Sequence, residues 1–418
     1  MPRDPRMPTT GRLIHRRDVL RAGLAAGAAF LAGCVAGRSP GSSPLGSVAP
    51  ASVLPSLLIP ATPGPVVTAG PPAATLRQAI ASLLIVGFRG FTVETAGPIT
   101  SAIADDWLGG VILFSHDQKT GGRRNITSPD QLRALTSGLS DLAGDRGLIV
   151  SIDQEGGVVS RLSPANGFPA FESEATIGAS RDPAVALDFG QRLGATLADI
   201  GVNLDFAPVV DVNVNPTNPA IGALDRSFSA DPDAVATLAD AEIEGLHQYG
   251  IATTLKHFPG LGSATVNTDN GIADVSRTWT DSELVPYRRL IGEGVLDAIM
   301  AGHVIVKPLG GPTPASLSPA IVTDLLRGQL GWGGVVVTDD LGAVAITSTY
   351  GFEEALALAI EAGNDLLLLA NQNGFDSHLA DRAIDAIAAH VASGRISRDR
   401  IEESRARVAV LMPGRRGD

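Results

Sequence analysis

From residue 74 onward the chain repeats one alternation. A short, almost purely apolar run gives way to a longer stretch with apolar residues every three or four positions. The runs are LLIVGF (83–88), GGVILF (109–114), GLIVSI (147–152), GVNLDF (201–206), IATTL (251–255), DAIMAG (297–302), GVVVT (334–338) and NDLLLL (364–369). Unbroken apolar runs of this length fit strands covered on both faces, as in a parallel sheet. Between them, SPDQLRALTSGLSDLAGD (128–145), DPAVALDFGQRLGATLADI (182–200) and SPAIVTDLLRGQLG (318–331) carry helical periodicity. Eight such units predict an α/β fold, a single (β/α)8 TIM-type barrel with insertions. A doubly wound open sheet is the main alternative, but no GxGxxG follows the first strand.

The pattern upstream is different in kind. HRRDVLRAG (15–23) sets twin arginines before the apolar, alanine-rich stretch Leu24 to Leu31, and LAGC (31–34) closes it. That order is the one expected of an export signal of twin-arginine character, and the run is too short to span a bilayer as a helix. LAGC resembles the bacterial lipobox, which implies a diacylglyceryl thioether on Cys34. This is the single cysteine of the chain, so no internal disulfide can form. Residues 35–73 are rich in Pro, Ser, Gly and Ala without helical or strand period, and read as a flexible linker. The expected organisation is therefore signal and lipobox at 1–34, linker at 35–73, and barrel domain at 74–418. The protein would be exported and lipid-anchored to the outer face of the cytoplasmic membrane.

Charge narrows the function classes. The 418 residues carry a formal net charge of −12, and the first 33 hold six arginines against two aspartates. An acidic body argues against nucleic-acid binding by phosphate neutralisation. Aromatic residues make up only 4% of the chain, which weakens the case for a long aromatic-lined saccharide cleft.

In a barrel of this kind catalytic groups sit just past the carboxyl ends of the strands. Asp153 follows the third run, Lys256 and His257 the fifth, His303 the sixth, and Asp339 and Asp340 the seventh. A carboxylate held on rigid backbone among hydrogen-bond donors suits glycoside hydrolysis, where one carboxylate meets the anomeric carbon and a second group protonates the leaving oxygen. Asp339 is placed for the first task. Asp340, turned away by strand alternation, is expected to anchor the turn. Lys256 and His257 offer donors to sugar hydroxyls, Asp153 an acceptor, and Arg161 and Arg226 planar forks that bind hydroxyls or hold carboxylates. Metal hydrolysis and serine hydrolysis fit less well: HExxH does not occur, and no GxSxG stands at the end of an apolar run.

The motifs SIDQEGGVVSRL (151–162), NLDFAPVVDV (203–212), DRSFS (225–229), KHFPGLG (256–262), AGHV (301–304) and VVVTDDLG (335–342) stand in the order found in glycoside hydrolase family 3. The chain most resembles the β-N-acetylglucosaminidase branch, the NagZ type. The resemblance implies Asp339 as nucleophile, a covalent glycosyl-enzyme and retention of configuration. It also implies a sugar pocket lined by Asp153, Arg161, Arg226, Lys256 and His257. No metal and no organic cofactor are implied; the substrate would be a small glycan or muropeptide.

One departure stands out. The branch carries Asp-x-His on the loop after its KHFPGHG motif, the histidine serving as acid/base. Here Asn267, Thr268 and Asp269 occupy those places, and Leu261 replaces the histidine within the motif. Three readings follow. Asp269 is itself the acid/base, with its pKa raised by burial or by Asp339; or the proton comes from Asp274 or the inserted HDQKTGGRR loop (116–124); or the protein binds sugar without hydrolysing natural glycosides. A β-glucosidase or another family 3 exo-β-glycosidase is the alternative activity.

Overall fold

The computed structural model describes residues 74–267 and 271–413. The signal, Cys34, the linker and Asp269 lie outside the described residues.

Eight parallel strands form the core: β1 (Leu84–Gly87), β2 (Gly110–Leu113), β3 (Ile149–Ile152), β4 (Leu204–Asp205), β5 (Ala252–Phe258), β6 (Ala298–Ala301), β7 (Val335–Thr338) and β8 (Leu367–Leu369). Neighbours pair in sequence order from β1 to β7, and β8 pairs with β1 in register Leu84↔Leu367. A parallel bridge between Val337 and Leu366 brings the last two strands together. The result is a nearly closed barrel, as the eight apolar runs predict. Every residue of these strands is buried, which is why the runs are continuous rather than alternating.

Helices cover the outside. Pro129–Ala143 begins at Ser128, whose hydroxyl accepts from the Gln131 amide, and buries Leu132, Leu135 and Leu139 on one stripe. Pro183–Asp199 and Pro232–His247 both start on an Asp-Pro pair, the aspartate capping and the proline filling the first helical position. They approach so closely that a Cβ at Gly190 would lie 2.3 Å from the Glu242 carbonyl oxygen. The helical period read over 318–331 is realised as Ala320–Gln329, wound with π-type hydrogen bonds. No helix among the described residues is long and apolar enough to cross a membrane.

Two details correct the expected strand ends. The fifth run was bounded at Leu255, yet β5 continues to Phe258, so Lys256 and His257 belong to the strand itself. The pairing with β6 slips between Leu255 and Phe258, a bulge that re-aims the strand's last residues. Strand β4 spans only two residues, although the chain beyond it stays alongside its neighbours: the Phe206 amide donates to the Ile152 carbonyl and Val209 forms a parallel bridge with Lys256.

Candidate active site

The carboxyl ends of β3, β5 and β7 meet on one face. Beyond β3 the chain reverses at Gly156 and Gly157, both at positive φ, so that Val159–Ser160 pairs antiparallel with Gln154–Gly156. A side chain at Gly156 would strike the Glu172 carbonyl oxygen at 2.0 Å, so only glycine fits. The reversal returns Arg161 to Asp153: its Nη2 donates to Oδ2 at 3.3 Å. Gln154 holds the returning limb, its Oε1 accepting from the amides of Arg161 and Leu162.

Lys256 lies between two carboxylates. Its Nζ stands 3.0 Å from Asp153 Oδ1 and 2.6 Å from Glu155 Oε1. Glu155 also receives both arms of Arg226, at 2.7 and 2.8 Å. Arg226 turns its remaining nitrogen to the Ala220 carbonyl. Four of the five residues expected to line the pocket, Asp153, Arg161, Arg226 and Lys256, thus form one network with Glu155. Burial would push Glu155 up, but Arg226 and Lys256 outweigh it and hold its carboxyl well below the usual carboxylate range. Burial opposes the charge on Lys256 as well, and Glu155 and Asp153 overcome it. Nearby buried carboxyls without such partners behave oppositely. Burial lifts Glu174, Asp205 and Glu242 well above their ordinary values, and neither oxygen of Glu242 has a hydrogen-bond partner among the described residues.

His257 is oriented from behind by Asp211, which is fully buried. Asp211 Oδ2 lies 2.7 Å from His257 Nδ1, and its oxygens also accept from the amides of His257 and Leu261. A carboxylate at that distance calls for a proton on Nδ1, which leaves Nε2 as the face presented away from it. Glu283 holds the next amide of the same turn, Gly262, at 2.9 Å. Burial lifts Glu283 to about 7.

Asp339 follows β7 directly. Its amide donates to the Ala301 carbonyl, and its Oδ1 accepts from the Asp340 amide at 2.8 Å. Burial would raise its carboxyl, yet His303, His257, the Asp340 amide and Lys256 together keep it below the ordinary range. It is therefore ionised at neutral pH, the state a nucleophile requires. Asp340 anchors the turn as expected, accepting from the Gly342 and Ala370 amides, and burial raises it to about 6. His303 Nε2 donates to the Asp340 carbonyl while Nδ1 meets Ser316 Oγ, both at 2.8 Å.

The candidate proton donors separate. Asp274 pairs with Lys307 at 2.6 Å and accepts from Ser276, and these bonds hold it down to about 2. Its strand, Ala273–Asp274, is paired in parallel with Val304–Ile305. Asp117, in the 116–124 loop, is buried between Arg89 and Arg124, and hydrogen bonding from Arg89 keeps it far below its usual value. Neither is poised to release a proton near neutrality and take it back.

Sequence reasoning passed over two residues of this arrangement. Glu155 sits inside the quoted SIDQEGG and Asp211 inside NLDFAPVVDV. Their nearness in sequence to motif residues was the available signal, but their partners lie 71 and 46 positions away.

Comparison with known proteins places these motifs in context. The N-terminal domain of glycosyl hydrolase family 3 matches residues 75–411. The chain is 35% identical over 315 residues to a β-hexosaminidase of Xylella fastidiosa, spanning 73% of this chain and 87% of that protein. It is 33% identical over 401 residues to β-hexosaminidase LpqI of Mycobacterium tuberculosis, spanning 93% and 95%. The solved structure of a glycoside hydrolase family 3 β-N-acetylglucosaminidase from Paenibacillus sp. superposes with a TM-score of 0.74 at 36% identity, over 81% of this chain and 62% of that one. The chain thus spans about three fifths of the length of the Paenibacillus enzyme.

Proposed function

The chain belongs to glycosyl hydrolase family 3, and from that premise we propose that it is a retaining exo-β-N-acetylglucosaminidase whose nucleophile is Asp339. The observation that carries the reading is the place of Asp339, directly after β7 on the barrel face where Lys256, Asp153, Arg161, Glu155 and Arg226 are already paired with one another. The names borne by the relatives, β-hexosaminidase and β-N-acetylglucosaminidase, favour an N-acetylated sugar.

In the first step an oxygen of Asp339 attacks the anomeric carbon as the bond to the leaving oxygen breaks. A proton from Asp269 goes to that oxygen, and a glycosyl ester of Asp339 results. In the second step water attacks the same carbon, Asp269 takes its proton, and the ester bond breaks with net retention. Asp153, Lys256 and Arg161 exchange partners with the hydroxyls of the terminal sugar. Arg226 acts through Glu155, and His257 presents Nε2. Because Lys256, Glu155 and Arg226 are fixed by one another before substrate arrives, little reorganisation accompanies binding.

The substrate is a terminal β-linked N-acetylglucosamine on a cell-wall-derived glycan. An exported, Cys34-anchored protein would meet it outside the cytoplasmic membrane; Cys34→Ala remaining in the membrane fraction would sink the anchor.

The deciding assay compares aryl β-N-acetylglucosaminide with aryl β-glucoside, using wild type and Asp339→Asn. The expected result is turnover of the first, lost by at least about 10³-fold in the variant. Preference for the glucoside would name a β-glucosidase instead. A folded wild type inactive on both would leave a sugar-binding lipoprotein.

A further inference from the structure

The residue after Asp339 is tied more firmly than a turn requires. The Asp340 amide donates to Asp339 Oδ1 at 2.8 Å, so that oxygen is already occupied. Oδ2 has no hydrogen-bond partner among the described residues, and Asp339 is only half-buried, which leaves Oδ2 as the oxygen open to the pocket. Which oxygen attacks therefore depends on where Asp340 is held. Its Oδ1 accepts from the Gly342 and Ala370 amides at 2.9 and 2.8 Å. Its carbonyl accepts from His303 Nε2 at 2.8 Å, a contact made from the end of β6.

His303 is itself built into place. Strand β6 stops at Ala301, and Gly302 lets the chain pass close to β5: a Cβ there would lie 2.9 Å from the His257 Cβ. The loop beyond folds back, the Ser316 amide donating to the Gly302 carbonyl at 3.0 Å. That return sets Ser316 Oγ 2.8 Å from His303 Nδ1. Asn364, buried just ahead of β8, donates to the Ser316 carbonyl at 2.8 Å. His303 is 2% exposed and Ser316 0%, which shuts the pair off from bulk water. The partners also fix the ring chemically. A carbonyl can only accept, so Nε2 carries a proton in every state of the imidazole. A hydroxyl can give or take a hydrogen bond, so Ser316 meets Nδ1 whether or not that nitrogen is protonated. The ring is thus a strut that keeps its place when its charge changes. Its closeness to the nucleophile shows in the electrostatics: burial raises the Asp339 carboxyl, and His303 leads the groups that bring it down again.

We infer that His303, braced by Ser316, is a positioning residue for the nucleophile. Through the Asp340 main chain it fixes the Asp339 rotamer that keeps Oδ1 on the Asp340 amide and turns Oδ2 to the anomeric carbon. The inference rests on the glycosidase reading and adds which oxygen attacks and which residues aim it. Oδ2 forms the ester bond in the first step and regains its charge when water breaks that bond in the second, so one strut serves both.

The test uses the full-length protein and an activated aryl β-N-acetylglucosaminide, whose leaving group needs little protonation, so that the rate reads the nucleophile and not the proton donor. Measured are kcat/KM and the inhibition constant of free N-acetylglucosamine, for wild type, Asp339→Asn, His303→Leu, His303→Gln and Ser316→Ala. Leucine removes the donor to the Asp340 carbonyl, glutamine carries an N–H to the same place, and the alanine leaves Nδ1 without its partner. His303→Leu is expected to lower kcat/KM about 10²-fold and Ser316→Ala about tenfold, with His303→Gln within about tenfold of wild type and inhibitor binding within about threefold throughout. Inhibitor binding lost in step with kcat/KM would overturn the inference and leave a merely structural histidine. A glutamine variant no better than leucine, or every variant within about threefold of wild type, would overturn it as well. Should His303→Leu not fold, His303→Gln and Ser316→Ala decide by the same figures. A wild type inactive on this substrate, or an Asp339→Asn as active as wild type, would overturn the glycosidase reading, and this inference with it.

Discussion

Replacing Glu155 by glutamine tests whether the proposed sugar-binding group of Asp153, Arg161 and Lys256 is organised from beneath. The carboxylate is 1% exposed and accepts from Lys256 at 2.6 Å and from Arg226 at 2.7 and 2.8 Å. Glutamine keeps the shape but removes the charge and sets an NH2 group against donors. Two buried cations then face an amide, and removing one partner of such a pair costs about 3–5 kcal/mol. In a domain of this size that corresponds to a fall in Tm of roughly 4–7 °C. Lys256 would be left with Asp153 at 3.0 Å as its anchor, and a misplaced donor at the sugar is expected to lower kcat/KM by about 10²-fold. The acid dependence has a fixed sign. Glu155 titrates below its unfolded value, so its contribution is full above about pH 4.3 and fades as pH falls toward the folded value. The Tm difference between wild type and Glu155→Gln should therefore narrow in acid. Combining Glu155→Gln with Arg226→Met should cost less than the sum of the single changes. A single variant within about 1 kcal/mol of wild type, with kcat/KM within threefold, would show that Glu155 is not the organising anchor.

Two further outcomes follow. Asp269→Asn should slow hydrolysis of poor leaving groups far more than of activated aryl glycosides, which need little protonation; equal loss on both would remove Asp269 as the proton donor. Glu283, lifted to about 7, stays protonated in the fold where it would ionise unfolded, so its stabilisation is present below about pH 4.5 and lost as pH rises to about 7. Stability of wild type relative to Glu283→Gln should fall by about 3 kcal/mol across that window, and a pH-independent difference would refute the assignment.

The barrel was legible because its strands are buried on both faces, which leaves runs such as VILF at 111–114 with no polar interruption. Ends were less legible. Nothing local marks the continuation of β5 through Lys256 and His257, since two polar residues ordinarily signal exit from a core; the carboxylates that make their burial tolerable come from other strands. The same limit hid Glu155 and Asp211. Each is an ordinary acidic residue until Arg226 or His257 is folded onto it. The reading of Asp340 as a turn anchor succeeded because strand alternation is a local property. Asp274 and Asp117 could be set aside as donors only after Lys307 and Arg89 were seen beside them, 33 and 28 positions away.

Asp211 and Glu283 pin the amides of the turn at Leu261 and Gly262, while the pairing of Ala273–Asp274 with Val304–Ile305 fastens the chain a few residues later. The first clamp extends to Ala264, which is buried and whose carbonyl accepts from Asn215. Lys256, His257 and Asp339 are held by partners outside the stretch between the clamps, namely Asp153, Glu155, Asp211 and the Ala301 carbonyl, so changes of composition within it are expected to leave them in place. On the proposed assignment of the proton to Asp269, recognition of the sugar and supply of the proton become separately evolvable, and a descendant of this scaffold could alter its proton chemistry without first rebuilding its sugar-binding groups.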